Sequence, residues 1–255
     1  MKLRKETSYS IIAIIALILF IELIIRLLVT ESRYIIPPSE ILLAYKVALN
    51  EELLKHLGAT IIRTLIGFFI SGLLGIMIGV MLGRIKWLRV FFQPFVDFFR
   101  PLPSSAIIPA AMMFIGLNES TYIFIIVFGG IWPILINTLS GVKDVDPNAE
   151  IAIKQLGLKP ILLLRKFVIP EAAVEIFSGL KISLSICLIL SVTGEIIIGT
   201  ENGIGQFLKN VEDGGNYTLM YFSIVVIALI GLILNSIFSL FEKHHKWLKY
   251  KYDNN

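Results

Sequence analysis

At 255 residues, 56% of them hydrophobic and only 16% charged, with a mean hydropathy of +0.83, the chain is too apolar to hide its side chains in a water-soluble core, so lipid must be the solvent for much of its surface. The net charge of +4 and pI near 9.1 do not signal nucleic acid, because the basic residues sit in short clusters between apolar runs and not in a stripe. The single cysteine, Cys187, excludes an internal disulfide and a cysteine-rich metal site, and its apolar surroundings suit a small buried hydrophobe.

Lys2, Arg4 and Lys5 precede the apolar run Ile11–Ile21, as in a signal peptide. No small-residue cleavage site follows and the apolar pattern continues through Leu28, which predicts a retained helix. A helix needs about 20 mostly apolar residues to cross the hydrocarbon core. Six segments meet or approach that length: Tyr9–Val29, Ile61–Gly83, Pro101–Leu117, Thr121–Val142, Ala172–Gly199 and Tyr217–Phe241. These runs are too long and continuous for the alternating strands of a barrel. The expected fold is therefore an all-α membrane bundle of about six spans.

In the first span Glu22 and Arg26 are four apart, share a face and can pair. Pro38–Leu57 carries Ile41, Leu42, Tyr45, Leu49 and Leu53 at helical spacing, the pattern of an amphipathic helix lying on the membrane or the bundle, with Ser39 as its expected N-cap. In the second span Gly67, Ser71, Gly75 and Gly79 recur every four residues, a small-residue face that favours close packing within the chain over a dimer contact. Pro101, Pro103 and Pro109 open the third span and Pro133 lies inside the fourth, so kinked helices are expected there. Asn137 in the fourth span is expected to hydrogen-bond between helices.

The connection Asp144–Ala173 is the most informative stretch. Asp146 followed by Pro147 is a helix start, and Gly157 suits the C-cap of a helix running through Ala149, Glu150, Ala152 and Leu156. Pro160 follows Leu158 and is placed to open a second short helix, Leu162–Ile169, which Pro170 should break. A short capped helix of this kind is a rigid handle that a partner's groove can grip.

In the fifth span Lys181 is early and Glu195 late. Lys181 either snorkels to the interface or faces a pathway; Glu195 either holds the glycine-rich turn that follows, helps form a gate, or rests at the interface. His244 and His245 with Trp247 and Tyr250 read as an interfacial anchor and not as a metal site, since two adjacent histidines cannot complete a coordination shell. With the N-terminus inside, six spans place Lys2, Arg4, Lys5, Arg84, Lys86, Arg89, Lys143, Lys154, Lys159, Arg165, Lys166, Lys243, Lys246, Lys249 and Lys251 inside, and only Arg33, Lys46, Lys55 and Lys209 outside. Both termini should therefore be cytoplasmic in a multi-pass protein of the cell membrane. The expected division is 1–58 (first span and outside segment), 59–241 (core bundle with the loop 143–171) and 242–255 (basic tail).

The loop resembles the EAA loop of binding-protein-dependent ABC importer permeases. Gly157 and Pro170 have that loop's thirteen-residue spacing, and Val168 and Ile169 precede the proline. Ile151, Ala152 and Ile153 stand where the family usually has Glu-Ala-Ala, and Glu150 comes one residue early. HLGATIIRTLIGF (56–68), FFRPLPSSAIIP (98–109), WPILINT (132–138), GVKDVDP (141–147), Glu195 and GIG (203–205) are similar to the permeases of nitrate, sulfonate and taurine importers.

The resemblance implies a type I importer (MetI-like) permease fold and a coupling helix at Pro147–Leu156. It implies as partners cytoplasmic ATPase subunits carrying ATP and Mg, an extracytoplasmic solute-binding protein, and a second permease chain, expected to be a copy of this one. Pro147, Ala149, Glu150, Ala152, Leu156, Gly157, Leu158 and Pro170 are the expected ATPase-coupling residues; Lys181, Glu195 and Asn137 are the pathway or gate candidates. No P-loop, HExxH, CxxC or GxSxG motif occurs, so no catalysis and no cofactor or metal is expected on this chain. A secondary transporter or channel is the alternative; it should carry several mid-span acids and an internal repeat, and neither is evident.

Overall fold

The computed structural model describes residues 2–28, 34–50 and 52–244, and every regular element among them is helical. The expectations on Val29, Arg33 and the tail from His245 onward, with Trp247 and Tyr250, lie outside the described residues. In chain order the helices are α1 (Lys2–Leu28), α2 (Pro38–Leu43), α3 (Tyr45–Asn50), α4 (Leu53–Arg84), α5 (Lys86–Phe99), a 3-10 turn (Ser104–Ile107) leading into α6 (Ile108–Ile115), α7 (Glu119–Lys143), α8 (Pro147–Gln155), α9 (Pro160–Leu163), a π turn (Leu164–Val168), α10 (Ile169–Glu171), α11 (Ala173–Ile198), α12 (Ile204–Asp213) and α13 (Tyr217–His244). Among the described residues four helices are long and apolar enough to cross a membrane, or five if α5 and the 3-10/α6 segment form one broken span. The 27-residue α1 supplies the first apolar run, and its large apolar side chains from Ile12 to Leu28, apart from half-buried Ile25, are exposed, as lipid-facing ones would be.

The centre of the bundle is α7 packed between α4 and α11. Glycine makes this possible. A Cβ at Gly75 would lie 2.8 Å from the Ile134 Cβ, one at Gly79 2.6 Å from the Thr138 Cβ, and one at Gly83 2.8 Å from Val142 Cγ1. The small-residue face of α4 is thus consumed within the chain, where it brings two backbones close. On the other side of α7, Gly179 of α11 sits against the Pro133 carbonyl and the Asn137 Cβ.

Several expectations are corrected. The third span does not run straight through Pro101–Leu117. The chain turns at Ile85 into α5, which carries the expected loop residues Lys86 and Arg89, and α5 is bent by 85° from the segment that follows the prolines. The outside segment is not one amphipathic helix: α2 and α3 are short, the buried residues are Ala48 of α3 and Ala44 at the turn between the two helices, Leu42 and Tyr45 are exposed, and Leu53 already belongs to α4. Pro37, not Ser39, occupies the N-cap of α2, because Ser39 is held from elsewhere: its N–H and hydroxyl both donate to Glu22, at 3.0 and 2.7 Å. Glu22 also receives Arg26 at 2.6 Å, so the expected pair is made.

Pro170 does not stop the second short helical stretch, which begins two residues earlier than expected, at Pro160, and runs on through the π turn to Glu171. The π turn lets the Ile169 N–H reach back five residues to the Leu164 carbonyl, a wider coil that accommodates a proline ring and its missing donor; the coil ends at Ala172 instead. Asn137 donates to the Pro133 carbonyl in its own helix, at 2.8 Å, and not between helices.

Candidate functional site

Two constellations sit at opposite ends of the bundle. At one end is the handle. Asp146 Oδ1 accepts from the Asn148 N–H at 2.9 Å, Pro147 fills the first turn of α8, and Gly157, at φ +77°, turns the chain out of the helix in a conformation that β-carbons disfavour. Pro147, Ala152, Leu156 and Gly157 are exposed; Ala149, Leu158 and Pro170 are half-buried. Glu150 is buried, and its carboxylate joins the handle to α4: Arg84, the last residue of α4, meets it with both terminal nitrogens, one at 2.8 Å, and Lys154 closes on it at 2.7 Å. A fork-shaped, charge-assisted contact of this kind fixes orientation as well as distance. A cleft of about 610 Å³ opens beside it, lined by Arg84, Lys154, Leu158, Pro160, Ile161, Leu163 and Leu164.

The Arg84 guanidinium, with Lys154 beside it, holds the Glu150 carboxyl down at about 2. A carboxyl lowered from its ordinary 4.5 stabilises the docked handle above about 4.5, and that contribution is lost as the pH falls toward about 2. Amide exchange across 147–156, corrected for intrinsic rates, is expected to accelerate several-fold between about pH 5 and about pH 2.5. Glu150→Gln should abolish that step, and a step surviving in the variant would assign it to another group.

At the opposite end lies a buried ion network. Glu195, late in α11, is 0% exposed, and Arg63 of α4 is 8% exposed with all five N–H donors placed. Arg63 Nε and Nη2 grip Glu119, in the first turn of α7, at 2.8 and 2.6 Å. Its Nη1 reaches Glu195 at 2.9 Å and the Asn202 carbonyl at 2.6 Å, and Nη2 also donates to Thr200 Oγ1 at 3.1 Å. The guanidinium lies 4.8 Å from the centre of the Tyr122 ring.

Glu195 accepts further from Thr60 Oγ1 at 2.9 Å and from the Gly205 N–H at 3.0 Å. Thr60 Oγ1 in turn accepts the Ile204 N–H at 2.9 Å, and His56 Nδ1 accepts the Gly203 N–H at 3.1 Å. The glycine-rich turn 199–205 is thereby fastened to α4, α7 and α11 at once. A side chain at Gly203 would collide with the Glu195 carboxylate.

The three pathway or gate candidates are not brought together. Glu195 is in this network. Lys181 is half-buried on the same helix, fourteen residues or about 21 Å nearer the handle end, and Asn137 lies on α7 against Gly179. Sequence reasoning missed Arg63 as the partner of Glu195 and Arg84 as the partner of Glu150. The available signal was only that each cation and its acid were expected at the same membrane face, Arg63 and Glu195 at the outer ends of their spans and Arg84 and Glu150 at the inner side.

An all-helical bundle of this kind, glycine-packed, with a docked handle at one end, defines a multi-pass membrane protein. The chain belongs to the family described as the binding-protein-dependent transport system inner membrane component, whose profile matches residues 71–246. It is 29% identical over 215 residues, 84% of this chain and 77% of the relative, to the putative aliphatic sulfonates transport permease protein SsuC of Bacillus subtilis (strain 168). It is 28% identical over 177 residues, 69% of this chain and 64% of the relative, to the bicarbonate transport system permease protein CmpB of Synechococcus elongatus. Its fold is that of a chain of the inward-facing MetNI methionine ABC transporter, with a TM-score of 0.67 over 77% of this chain and 97% of that one at 20% identity.

Proposed function

We propose that this chain forms the translocation pathway of an ATP-driven importer of a small anionic solute, and that a separate cytoplasmic ATPase drives it through the handle 147–158. The observation that carries the reading is the handle itself, a capped helix tied by Glu150 to Arg84 at the very end of the longest span. A push on α8 is delivered to a 32-residue helix that is glycine-packed against α7, which suits rigid-body rocking and not local give. ATP and Mg belong on the ATPase, and this chain takes no cofactor and no catalytic part. The anionic class follows from the sulfonate and bicarbonate relatives.

In this reading both termini and the handle are cytoplasmic, an extracytoplasmic binding protein delivers solute at the Glu195 end, and two copies of the chain enclose the path. Segment 1–58 forms the periphery, 59–241 the working bundle and 242–255 a basic interfacial tail. Pro147, Ala149, Ala152, Leu158 and Pro170 shape the handle; Leu156, exposed beside Gly157, is its gripping point. Glu195 locks the outer turn, while Lys181 and Asn137 stay as pathway candidates.

The test is co-expression with the neighbouring ATPase and purification in mild detergent, followed by uptake of ethanesulfonate, nitrate or bicarbonate into proteoliposomes with binding protein and ATP. The native chain should retain the ATPase. Leu156→Asp, which touches no buried contact, should lose it while keeping the native melting temperature, and Gly157→Trp, which strains the positive-φ turn out of α8, should lose it as well. Uptake by the native chain without ATP would overturn the reading in favour of a secondary transporter or channel.

A further inference from the structure

Arg100 has no role in anything described so far, and its position is anomalous. Phe99, the residue before it, lays its ring parallel to the Trp132 indole at 6.1 Å and edge-on to Phe128 at 6.2 Å. Ser104, just after the prolines, packs at Gly129, where a Cβ would come 2.8 Å from its Oγ. Gly129 and Trp132 stand halfway along α7, a 25-residue helix of about 37 Å that crosses the bilayer. Arg100 is therefore near mid-membrane depth. It is exposed, and among the described residues its guanidinium has neither a carboxylate partner nor a hydrogen bond. Asp97, three residues earlier, accepts from Gln93 Nε2 at 2.9 Å instead.

Arg100 does not stand by itself on its face. Lys86, Arg89, Gln93, Asp97 and Arg100 follow spacings of three and four along α5, which makes one continuous polar stripe. The stripe climbs from the handle end of the bundle to the 85° bend at Pro101–Pro103. The opposite side of α5, through Leu88, Phe92 and Phe95, lines a wholly apolar cavity of about 460 Å³ against α4 and α7. That side anchors α5 to the bundle, and the stripe faces away from it except at half-buried Arg89, whose Nη1 donates to the Gly83 carbonyl at 3.4 Å. A guanidinium at this depth is not stable against lipid tails; such residues line a water-filled path or pair with another charge. A helix broken near the midplane is also a recurrent way of building a transport site.

We infer that the polar stripe of α5 lines the solute path and that Arg100, at the break, is the mid-membrane contact for the transported anion. This deepens the importer reading and rests on it. A planar, always-charged fork matches the oxygens of a sulfonate, nitrate or bicarbonate, and its position at the top of the stripe puts one cation where an anion leaves the outer half of the membrane. Arg89, about three turns below, continues the attraction toward the handle end.

The native cysteine helps the test, because Cys187 is fully buried. In the permease–ATPase complex in proteoliposomes, Arg100→Cys is expected to react with a water-soluble anionic methanethiosulfonate about tenfold faster than Phe98→Cys, an exposed apolar position off the stripe. Arg100→Gln should cut ATP-driven ethanesulfonate uptake at least about tenfold while binding-protein-stimulated ATP hydrolysis continues, and Arg100→Lys should recover part of the uptake. Equal labelling of the two cysteines would place Arg100 against lipid and overturn the inference. Protection of Arg100→Cys together with loss of the dimer in Arg100→Gln would assign it to a contact between copies and overturn it equally. If the native complex shows no ATP-driven uptake, the importer reading fails first and the anion contact falls with it; native uptake with unimpaired Arg100→Gln uptake sinks the anion contact alone.

Discussion

Arg63→Met is expected to lower the apparent melting temperature of the detergent-solubilised chain by on the order of 10 °C, because removing one partner of a buried ion pair costs about 3–5 kcal/mol. Methionine fills similar volume, so the loss is electrostatic: Glu195, 0% exposed, keeps Thr60 and the Gly205 N–H but loses the one cation that contacts it among the described residues. Glu119 suffers little, since its side chain is 65% exposed and water replaces the guanidinium. The double variant Arg63→Met/Glu195→Gln should recover most of the loss. A glutamine amide can still accept from Gly205 and donate to Thr60, and no net charge stays buried. Melting can be followed with a thiol-reactive dye that reports exposure of the buried Cys187. A double variant as unstable as Arg63→Met would mean that the network acts through geometry and not through charge pairing.

Gly79→Val should be at least as damaging, by a different mechanism. The new Cβ would stand 2.6 Å from the Thr138 Cβ and 2.8 Å from the Leu135 carbonyl oxygen, and the second of these is backbone in a packed helix that cannot step aside. Overpacking of this kind costs about 1–3 kcal/mol where side chains can adjust, and more where backbone must move. Because α4 and α7 form the central seam, the expected result is poor recovery from the membrane and a melting temperature reduced by about 10 °C in what survives. Gly58→Val is the matched control: it lies on the same helix, with nothing within 4 Å of its Cβ, and should be neutral. Equal behaviour of the two variants would show that valine disturbs α4 by itself, with no contribution from the seam.

The two networks explain why the ends of the bundle differ. At the handle end the pairs are partly solvated: the side chains of Arg84 and Lys154 are 29% and 54% exposed, so docking of α8 is expected to respond to pH and salt. At the Glu195 end the carboxylate is sealed, and the turn 199–205 behaves as part of the rigid body formed by α4, α7 and α11.

Much of this was written locally. Apolar runs of twenty residues cannot avoid a bilayer, Asp146-Pro147 cannot avoid starting a helix, and Gly157 supplies a backbone conformation that few other residues tolerate; each depends on neighbours in sequence, so each was legible. The small-residue face of α4 was legible too, although only the fold showed Ile134, Thr138 and Val142 filling it. What the sequence could not decide were the pairings across the chain. Arg63 and Glu195 are 132 residues apart, Arg84 and Glu150 are 66 apart, and no local periodicity says which charge in one span meets which in another. The bend at Pro101–Pro103 was equally hidden. Prolines announce a kink but not its angle, and the 85° turn that leaves Arg100 without a partner among the described residues is accompanied by packing of Phe99 and Ser104 on α7, a contact across the chain.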